Sequence, residues 1–298
     1  MKVLNFGSLN IDNVCRVENF VRPGETLSAL DFTRNAGGKG LNQSIALARA
    51  GVEIFHAGRI GGDGEFLREL LERAGVDCSC LVTAQDELTG CAMIQVSAAG
   101  ENCIVLFGGA NMNITCEQIK STLDRFSPGD ILLLQNEISR TAEIMTAAAA
   151  KGMRIFINPA PMNSNVPKLP LDKVDTFIVN ELEAAGLAGM DGNADSDAVI
   201  ASLQERFPAT NILMTLGSRG AVYAGKGGKE LIKVPACKVE KVVDTTAAGD
   251  TFTGFFISGI IAGKTVADAL DLASRASAYC IARAGAAVSI PALADLDL

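Results

Sequence analysis

The sequence has few of the residues that nucleic-acid binding or histidine-based catalysis would need. Among its 298 residues there are no tryptophans, two tyrosines and a single histidine, His56. So few aromatic side chains do not favour a base-stacking surface. The net charge is −8, and no dense run of lysine and arginine could follow a phosphate backbone. A catalytic triad would have to use His56, which has no evident serine or cysteine partner. We therefore expect a small-molecule partner and no nucleic acid.

Long apolar segments and paired cysteine motifs are also missing. The longest uncharged stretch near the C-terminus, 251–263, is shorter than the ~20 residues of a spanning helix. The N-terminus turns polar too early for a signal peptide. None of the eight cysteines forms a Cys-x-x-Cys pair, so a zinc site is not expected. We expect a cytoplasmic protein with reduced thiols and no membrane partner.

The abundant residues favour a large α/β domain. Hydrophobic residues make up 48% of the chain, enough for a sizeable core, and thirty glycines against nine prolines indicate many tight loops. From residue 131 onward, short apolar runs alternate with helical patterns. We therefore predict a single domain over 1–298, built on a doubly wound, mostly parallel sheet that is flanked by helices.

Two segments depart from this alternation. Residues 14–34 carry Pro23-Gly24 between two alternating runs, and residues 89–107 read as a hairpin around Gly100. Together they predict a small antiparallel β-sheet, formed by about 13–35 and 88–110, beside the main sheet. Such a sheet could act as a lid over a ligand or, if one face is apolar, as a dimer surface.

Polar or glycine-rich residues follow most of the predicted strands. Asn10 and Asp12 come after the first apolar run, and Glu137 comes after a later one. The carboxyl ends of parallel strands meet at one edge of a sheet, where ligands of open α/β sheets collect. The same argument covers the residues after three further runs, namely Asn158, Asn180, Glu183, Thr215, Gly217 and Gly220. We predict a ligand crevice at this edge, with a simple Asx turn as the alternative for Asn10 and Asp12.

Two glycine-rich segments lead into predicted helices. Residues 35–43, NAGGKGLNQ, are neither a Walker A loop nor a Rossmann fingerprint, but they offer Lys39 and Asn42 to ligand hydroxyls. Residues 244–254, DTTAAGDTFTG, open an apolar helix with small residues. Unpaired amides at a helix start can hold an anion, and Asp250 would place a proton acceptor beside it. That combination suits phosphoryl transfer to a hydroxyl, although Asp250 could instead merely cap the helix.

Taken together, these two glycine-rich segments resemble the paired signatures of the ribokinase (phosphofructokinase-B-type) family of sugar kinases. Four more segments fall in the family's order, at 7–12, 158–161, 180–183 and 215–220. The resemblance covers essentially the whole chain. It implies a phosphotransferase that moves the γ-phosphoryl group of ATP to the hydroxymethyl group of a sugar, D-ribose giving ribose 5-phosphate. It also implies Mg²⁺ and K⁺ as cofactors and a homodimer formed through the β lid.

The resemblance further implies roles for individual residues. Asp250 would be the catalytic base, and Ala247, Ala248 and Gly249 would form the anion hole. Asp250 would also contact the sugar, whose hydroxyls would be held by Asn10, Asp12, Gly38, Lys39, Asn42 and Glu137. The nucleotide would be bound by Asn180, Glu183, Thr215, Gly217, Gly220 and Gly249, the first two acting on Mg²⁺ and phosphate through water. A monovalent-cation site would comprise Asp244, carbonyls of Thr246, Cys280, Arg283 and Gly285, and the Ser289 hydroxyl.

Several alternatives to a pentose kinase remain open at this stage. The many candidate hydroxyl partners fit a free pentose best, but a nucleoside, fructose, a deoxy sugar or a sugar phosphate are possible acceptors. A sugar-binding sensor without catalysis is disfavoured because Asp250 and the anion-hole residues are intact. A dehydrogenase is disfavoured because no predicted strand is followed by Gly-x-Gly-x-x-Gly.

Overall fold

The fold is that of a computed structural model, which describes residues 1–296. Thirteen strands follow one another along the chain: β1 (Val3–Phe6), β2 (Asn10–Arg16), β3 (Asp31–Gly37), β4 (Ile54–Gly61), β5 (Asp77–Ala84), β6 (Gly90–Val96), β7 (Asn102–Phe107), β8 (Ile131–Leu134), β9 (Arg154–Ile157), β10 (Thr176–Asn180), β11 (Asn211–Thr215), β12 (Ala221–Ala224) and β13 (Leu231–Val234). Nine of them form one sheet in the order β13-β12-β11-β10-β9-β8-β1-β4-β5. All neighbours in it run parallel except β11/β12 and β12/β13.

Helices cover both faces of this large sheet. They are α1 (Lys39–Arg49), α2 (Glu65–Arg73), α3 (Cys116–Leu123), α4 (Thr141–Ala150), α5 (Glu181–Ala188), α6 (Ser196–Arg206), α7 (Ala248–Ile261) and α8 (Val266–Ile281). One apolar core joins the sheet to α1, α2, α7 and α8, and a second core joins the other face to α3, α4, α5 and α6. Along β1, Val3 and Leu4 belong to different cores, as the two-residue period of a strand requires. The prediction of a doubly wound α/β sheet is confirmed.

The four remaining strands form the small sheet, in the order β3-β2-β6-β7. Both predicted hairpins are present, since β2 pairs antiparallel with β3 and β6 pairs antiparallel with β7. The two hairpins are joined by β2 and β6, which run parallel, so one pair within the small sheet departs from the antiparallel pattern. We call this sheet the lid. Every residue of β7 is exposed. The assignment of all of 1–298 to a single domain stays a prediction.

None of the helices within residues 1–296 combines the length and the apolar character that a membrane crossing requires.

Candidate active site

Two of the predicted sugar-binding residues, Asn42 and Asp250, meet where α1 and α7 begin. Gly254 lets the two helices pack closely, because a Cβ at this position would lie 2.5 Å from the Cβ of Ala46. This contact brings the first turns of both helices side by side, although they are about 200 residues apart in sequence. Asn42 on α1 and Asp250 on α7 are thereby placed within hydrogen-bond distance.

The Asp250 carboxylate is buried and is held by two side-chain amides of α1. Its Oδ2 atom accepts from Asn42 Nδ2 at 3.0 Å, and its Oδ1 atom accepts from Gln43 Nε2 at 2.9 Å. The side chain therefore does not cap its own helix. Gln43 is a functional candidate that the sequence reasoning missed, although it directly follows Asn42.

Within residues 1–296 the backbone N–H groups of Gly249 and Asp250, at the start of α7, have no backbone acceptor, whereas that of Ala248 donates to the Thr245 carbonyl oxygen at 3.3 Å. The residue before the helix, Ala247, has left-handed backbone angles with φ 61° and ψ 8°. Such a conformation is strained for a residue with a side chain, and turns of this kind gather amides around an anion. A Cβ added to Gly249 would meet no heavy atom within 4 Å. The first-turn amides and Asp250 thus form an anion cradle beside a carboxylate.

Glu137 lies beside the N-terminus of α1. Its Oε2 atom accepts hydrogen bonds from the Ser8 hydroxyl and, at 3.0 Å, from the backbone N–H of Lys39. Burial raises the pKa of Glu137. Burial acts to lower the pKa of Lys39, but the charges of Asp250, Glu137 and Glu183 outweigh it and raise that pKa. Lys39 therefore stays charged among three carboxylates.

Asp12 and Asn10 belong to the lid strand β2. Burial, with a smaller contribution from the charge of Glu137, raises the pKa of Asp12 to about 6. Gly37 on the paired strand leaves the space that this carboxylate occupies. Asn10 Oδ1 accepts from Asn111 Nδ2 at 2.8 Å, which orients its amide. Gly38 has φ 97°, and a Cβ there would lie 2.9 Å from the Ser8 carbonyl oxygen, so only glycine fits.

A cavity of about 540 Å³ opens next to the anion cradle. Four of the predicted nucleotide residues line it, namely Thr215, Gly217, Gly220 and Gly249. The sequence reasoning missed the opposite wall, which α8 and the segment 236–242 provide. On α8 the lining residues recur at the spacing of one helix face, and that spacing was a usable signal: Ser274, Ser277, Ala278 and Ile281.

Asn180 and Glu183 lie outside this cavity, at the adjacent strand end. Asn180 pairs with Thr215 in the sheet. Asn180 and Glu183 form a capping box at the start of α5. The Asn180 side chain accepts from the Glu183 backbone N–H at 2.8 Å, and the Glu183 side chain accepts from the Asn180 backbone N–H at 3.0 Å. Asn158 Nδ2 donates to Glu183 at 3.2 Å, and burial raises the pKa of Glu183. These hydrogen bonds fix the orientation of the Glu183 carboxylate.

The predicted cation residues come together between the loop before α7 and the loop after α8. Asp244 accepts from the backbone N–H groups of Thr246 and Gly285 at 2.9 and 3.0 Å. Burial opposes ionisation of Asp244, but these hydrogen bonds lower its pKa. Cys280 Sγ lies 3.0 Å from Ser289 Oγ and 3.6 Å from the Thr246 carbonyl oxygen. The Arg283 guanidinium stacks on the Tyr279 ring, and the predicted role of the Arg283 carbonyl group stays a prediction.

Within residues 1–296, no group of three or more His, Cys, Asp and Glu side chains could hold a metal ion.

Comparisons with known proteins identify a family and several similar structures. The model of the pfkB family of carbohydrate kinases matches residues 1–293. Ribokinase from Schizosaccharomyces pombe is 37% identical, with 100% of this chain and 97% of the relative covered. The structure of ribokinase from Cryptococcus neoformans in complex with ADP is 38% identical over 99% of this chain and 98% of its own, with a TM-score of 0.86. The structure of Arabidopsis thaliana ribokinase complexed with ribose and ATP is 28% identical over 100% of this chain and 99% of its own, with a TM-score of 0.88.

Proposed function

The chain belongs to the pfkB family of carbohydrate kinases, and from that premise we propose that it phosphorylates the hydroxymethyl group of a free pentose, with D-ribose as the first candidate. The family makes it a phosphotransferase that uses an alcohol group as acceptor. One observation carries the choice of reacting group: the buried Asp250 carboxylate stands beside the open amides at the start of α7.

In this proposal Asp250 takes the proton of the attacking hydroxymethyl group. The backbone N–H of Gly249, together with that of Ala248, which in the free protein donates to the Thr245 carbonyl oxygen at 3.3 Å, would stabilise the oxygens of the phosphoryl group in transit. In comparable oxyanion sites one well-placed donor contributes about 3 to 4 kcal/mol. Positioning and charge neutralisation carry most of the catalysis, because a loose transition state needs little covalent help.

The sugar would lie between α1 and the lid. Asp12, Asn10 and Asn42 offer hydrogen bonds to its hydroxyls, while Glu137 and Lys39 hold opposite charges at its other side. These several hydroxyl partners fit a free pentose. The complex of the Arabidopsis relative with ribose and ATP supports the same substrate pair here.

We propose that the nucleotide occupies the cavity lined by Thr215, Gly217, Gly220 and Gly249. Glu183 and Asn180, at the neighbouring strand end, would hold the water shell of a Mg²⁺ ion carried by the phosphates, as is common for this ion. When bound, Mg²⁺ neutralises charge on the phosphoryl oxygens. Lys39, charged among three carboxylates, would bridge the sugar and phosphate ends.

A K⁺ ion would sit between Asp244 and the loop of Gly285 and Ser289. The donor set suits a hard monovalent cation, since it offers one carboxylate with a lowered pKa, backbone carbonyls and a hydroxyl. Thr246, which is tied to Asp244, lies just before the strained Ala247. A bound ion would therefore stiffen the turn that presents the anion cradle.

We propose a homodimer formed through the lid. The edge strand β7 exposes four consecutive apolar side chains, two on each face of the lid: Ile104, Val105, Leu106 and Phe107. An exposed apolar patch of this kind marks an interaction surface. Size-exclusion chromatography should give a dimer for the natural chain and a monomer for Leu106→Asp. An unchanged dimer in that variant would place the interface elsewhere.

We place the reaction in the cytoplasm. All eight cysteines are free thiols, which a reducing compartment would preserve. Cys237 lines the nucleotide cavity and Cys280 lies among the proposed cation ligands, so oxidation of either would disturb the site.

A nucleoside is the second candidate acceptor, because a further cavity adjoins the sugar residues. This cavity of about 500 Å³ is lined by Asn10 and Glu137 at one end. Its other walls combine the apolar Phe107, Met112 and Leu169 with amide side chains. A nucleobase attached to the ribose could occupy that space.

The test is a coupled assay of ADP release with pentoses, hexoses and nucleosides, each with and without K⁺. We expect the highest kcat/KM with D-ribose and activation by K⁺. A nucleoside that outperforms every free sugar would move the assignment to the second candidate. Absence of acceptor-dependent ADP release with the whole panel would contradict both.

A further inference from the structure

A continuous chain of buried amides runs behind the Asp250 carboxylate. Gln43 donates to Asp250 through Nε2, and its carbonyl oxygen accepts from Gln135 Nε2 at 2.6 Å. The same Gln135 nitrogen donates to Asn5 Oδ1 at 3.0 Å. Gln43, Gln135 and Asn5 expose no more than 1% of their surface. All three side chains are therefore shielded from solvent.

The far end of this chain has a fixed direction. Asn5 Nδ2 donates to the Gly40 carbonyl oxygen at 2.8 Å and to Ser44 Oγ at 2.9 Å, and because a carbonyl can only accept, Asn5 Oδ1 is the atom that faces Gln135. Ser44 Oγ in turn lies 2.8 Å from His56 Nδ1. Burial lowers the pKa of His56 to about 3, so the ring stays neutral. Each hydrogen bond from Asn5 through Gln135 and Gln43 to Asp250 therefore has one donor and one acceptor, fixed by the Gly40 carbonyl at one end and the carboxylate at the other.

Gln135 sets the orientation of the Gln43 side-chain amide. Both of its N–H groups are used by oxygens, those of Gln43 and Asn5. Its own Oε1 atom is buried without a hydrogen-bond partner in the described chain. A flipped Gln135 amide would set an oxygen against two oxygens, so the observed orientation is the only satisfactory one.

We propose that Gln43 and Gln135 are positioning residues for phosphoryl transfer. Gln43 holds Oδ1 of Asp250 while Asn42 holds Oδ2, so the carboxylate keeps one rotamer and one remaining face for the acceptor hydroxyl. Gln135 keeps the N–H groups of Gln43 turned toward Asp250. This inference rests on the role of Asp250 as base in the proposed function. The competing explanation is that the amides only tie β1, β8, α1 and α7 together.

The two explanations differ in what a substitution should change. Gln43→Met removes the donor while it keeps an unbranched side chain of similar length, so the core can remain filled. A positioning role predicts that kcat falls about 100-fold, the size of effect that a misplacement of ~1 Å produces. The sugar KM should stay within about twofold, because Gln43 is fully buried and is not among the proposed sugar-binding residues. Gln135→Met should lower kcat by about tenfold, since it acts one amide further away.

The matched control is Gln118→Met. Gln118 is another buried glutamine, on α3, which donates to the Gly58 carbonyl oxygen at 2.6 Å and also has an unpartnered Oε1. This variant should lose thermal stability like Gln43→Met but keep kcat. A double mutant supplies the second control. Gln43→Met should add no further loss to Asp250→Asn, because nothing is left to position.

The outcomes separate the inference from the proposed function. If Asp250→Asn abolishes turnover while folded Gln43→Met and Gln135→Met keep kcat, the inference is wrong and the function stands. If Gln43→Met lowers kcat equally in both backgrounds, the amides act only on the fold, which also overturns it. If Asp250→Asn turns over normally, the base assignment fails and the inference fails with it. Should Gln43→Met not fold by circular dichroism, the same double-mutant comparison with Gln135→Met decides.

Discussion

The two carboxylates of the acceptor site, Asp250 and Asp12, lie in regions of opposite character. Asp250 stands on the main domain, 8% exposed, with an amide donor on each oxygen. Asp12 stands on the lid strand β2, and within residues 1–296 its side chain accepts no hydrogen bond. Burial and Glu137 raise the pKa of Asp12 to about 6.

This difference shows which part of the site has its hydrogen bonds formed before substrate binds. The main-domain half has its hydrogen bonds in place, so its groups lose little freedom when the reaction begins. The lid half has a carboxylate that lacks donors, and a sugar hydroxyl could supply them. Damage to the first half should therefore appear mainly in kcat and damage to the second mainly in KM.

The largest expected effect is that of Asp250→Asn. We expect kcat to fall about 10³-fold, within the range for loss of a general base. Sugar and ATP should still bind, because the volume and most polar contacts are kept. Steady-state kinetics and titration calorimetry measure the two properties. Near-normal turnover would contradict the role of Asp250 as base, and with it the contrast between the two halves of the site.

Asp12→Ala tests the lid half. We expect the sugar KM to rise about tenfold or more, with kcat changed much less, because an acceptor for sugar hydroxyls is lost while Asp250 is untouched. Asn13→Ala is the matched control, since the neighbouring side chain contacts Met93 on the lid. A change in kcat alone would mean that the lid takes part in the chemistry rather than in binding.

The raised pKa of Asp12 gives a second test of the lid half, through the pH dependence of the sugar KM. Its pKa is raised from 3.8 to about 6, so the carboxylate takes up a proton as the pH falls through about 6. The protonated form accepts hydrogen bonds less well, and the sugar KM should rise about tenfold from pH 8 to pH 5. The pKa of Glu137 is also raised, so the profile must be compared with that of Asp12→Asn. An unchanged pH profile in this variant would assign the titration to another group.

Asp244→Asn should give the smallest of the four effects. It removes a charge from the loop before α7 but keeps an acceptor for the Thr246 N–H. At a fixed K⁺ concentration we expect kcat to fall about three- to fivefold, in line with ~1 kcal/mol for one partly exposed charge interaction. Asp268→Asn, at the start of α8, controls for the loss of one carboxylate. Equal K⁺ activation of the natural chain, Asp244→Asn and Asp268→Asn would contradict the proposed ion site.

The two hairpins of the lid show how far local signals reach. Alternating residues and glycine turns predict each hairpin, and both are found. No local signal says how two hairpins meet, because their partner strands lie about 80 residues apart. The parallel pairing of β2 with β6 therefore emerges only in the folded chain.

The acceptor site shows the same division. Helix-start motifs identify Asn42 and Asp250 as candidates, but their hydrogen bond joins residues separated by 208 positions. Gln43 adjoins Asn42 and follows the same glycines, yet nothing in the motif says that it turns inward. Gln135 looks like an ordinary polar residue after a strand, until the fold buries it between Asn5 and Gln43.

By itself, the sequence determined the alternation of strands and helices, the glycine-rich helix starts and the family, because these depend on residue periodicity and on backbone needs within a few residues. Only the tertiary structure decided which amides hold Asp250, why Asp12 is left without donors, and which face of α8 walls the nucleotide cavity. These properties arise from the packing of distant segments, since burial and hydrogen-bond partners are set by whatever the folded chain brings alongside.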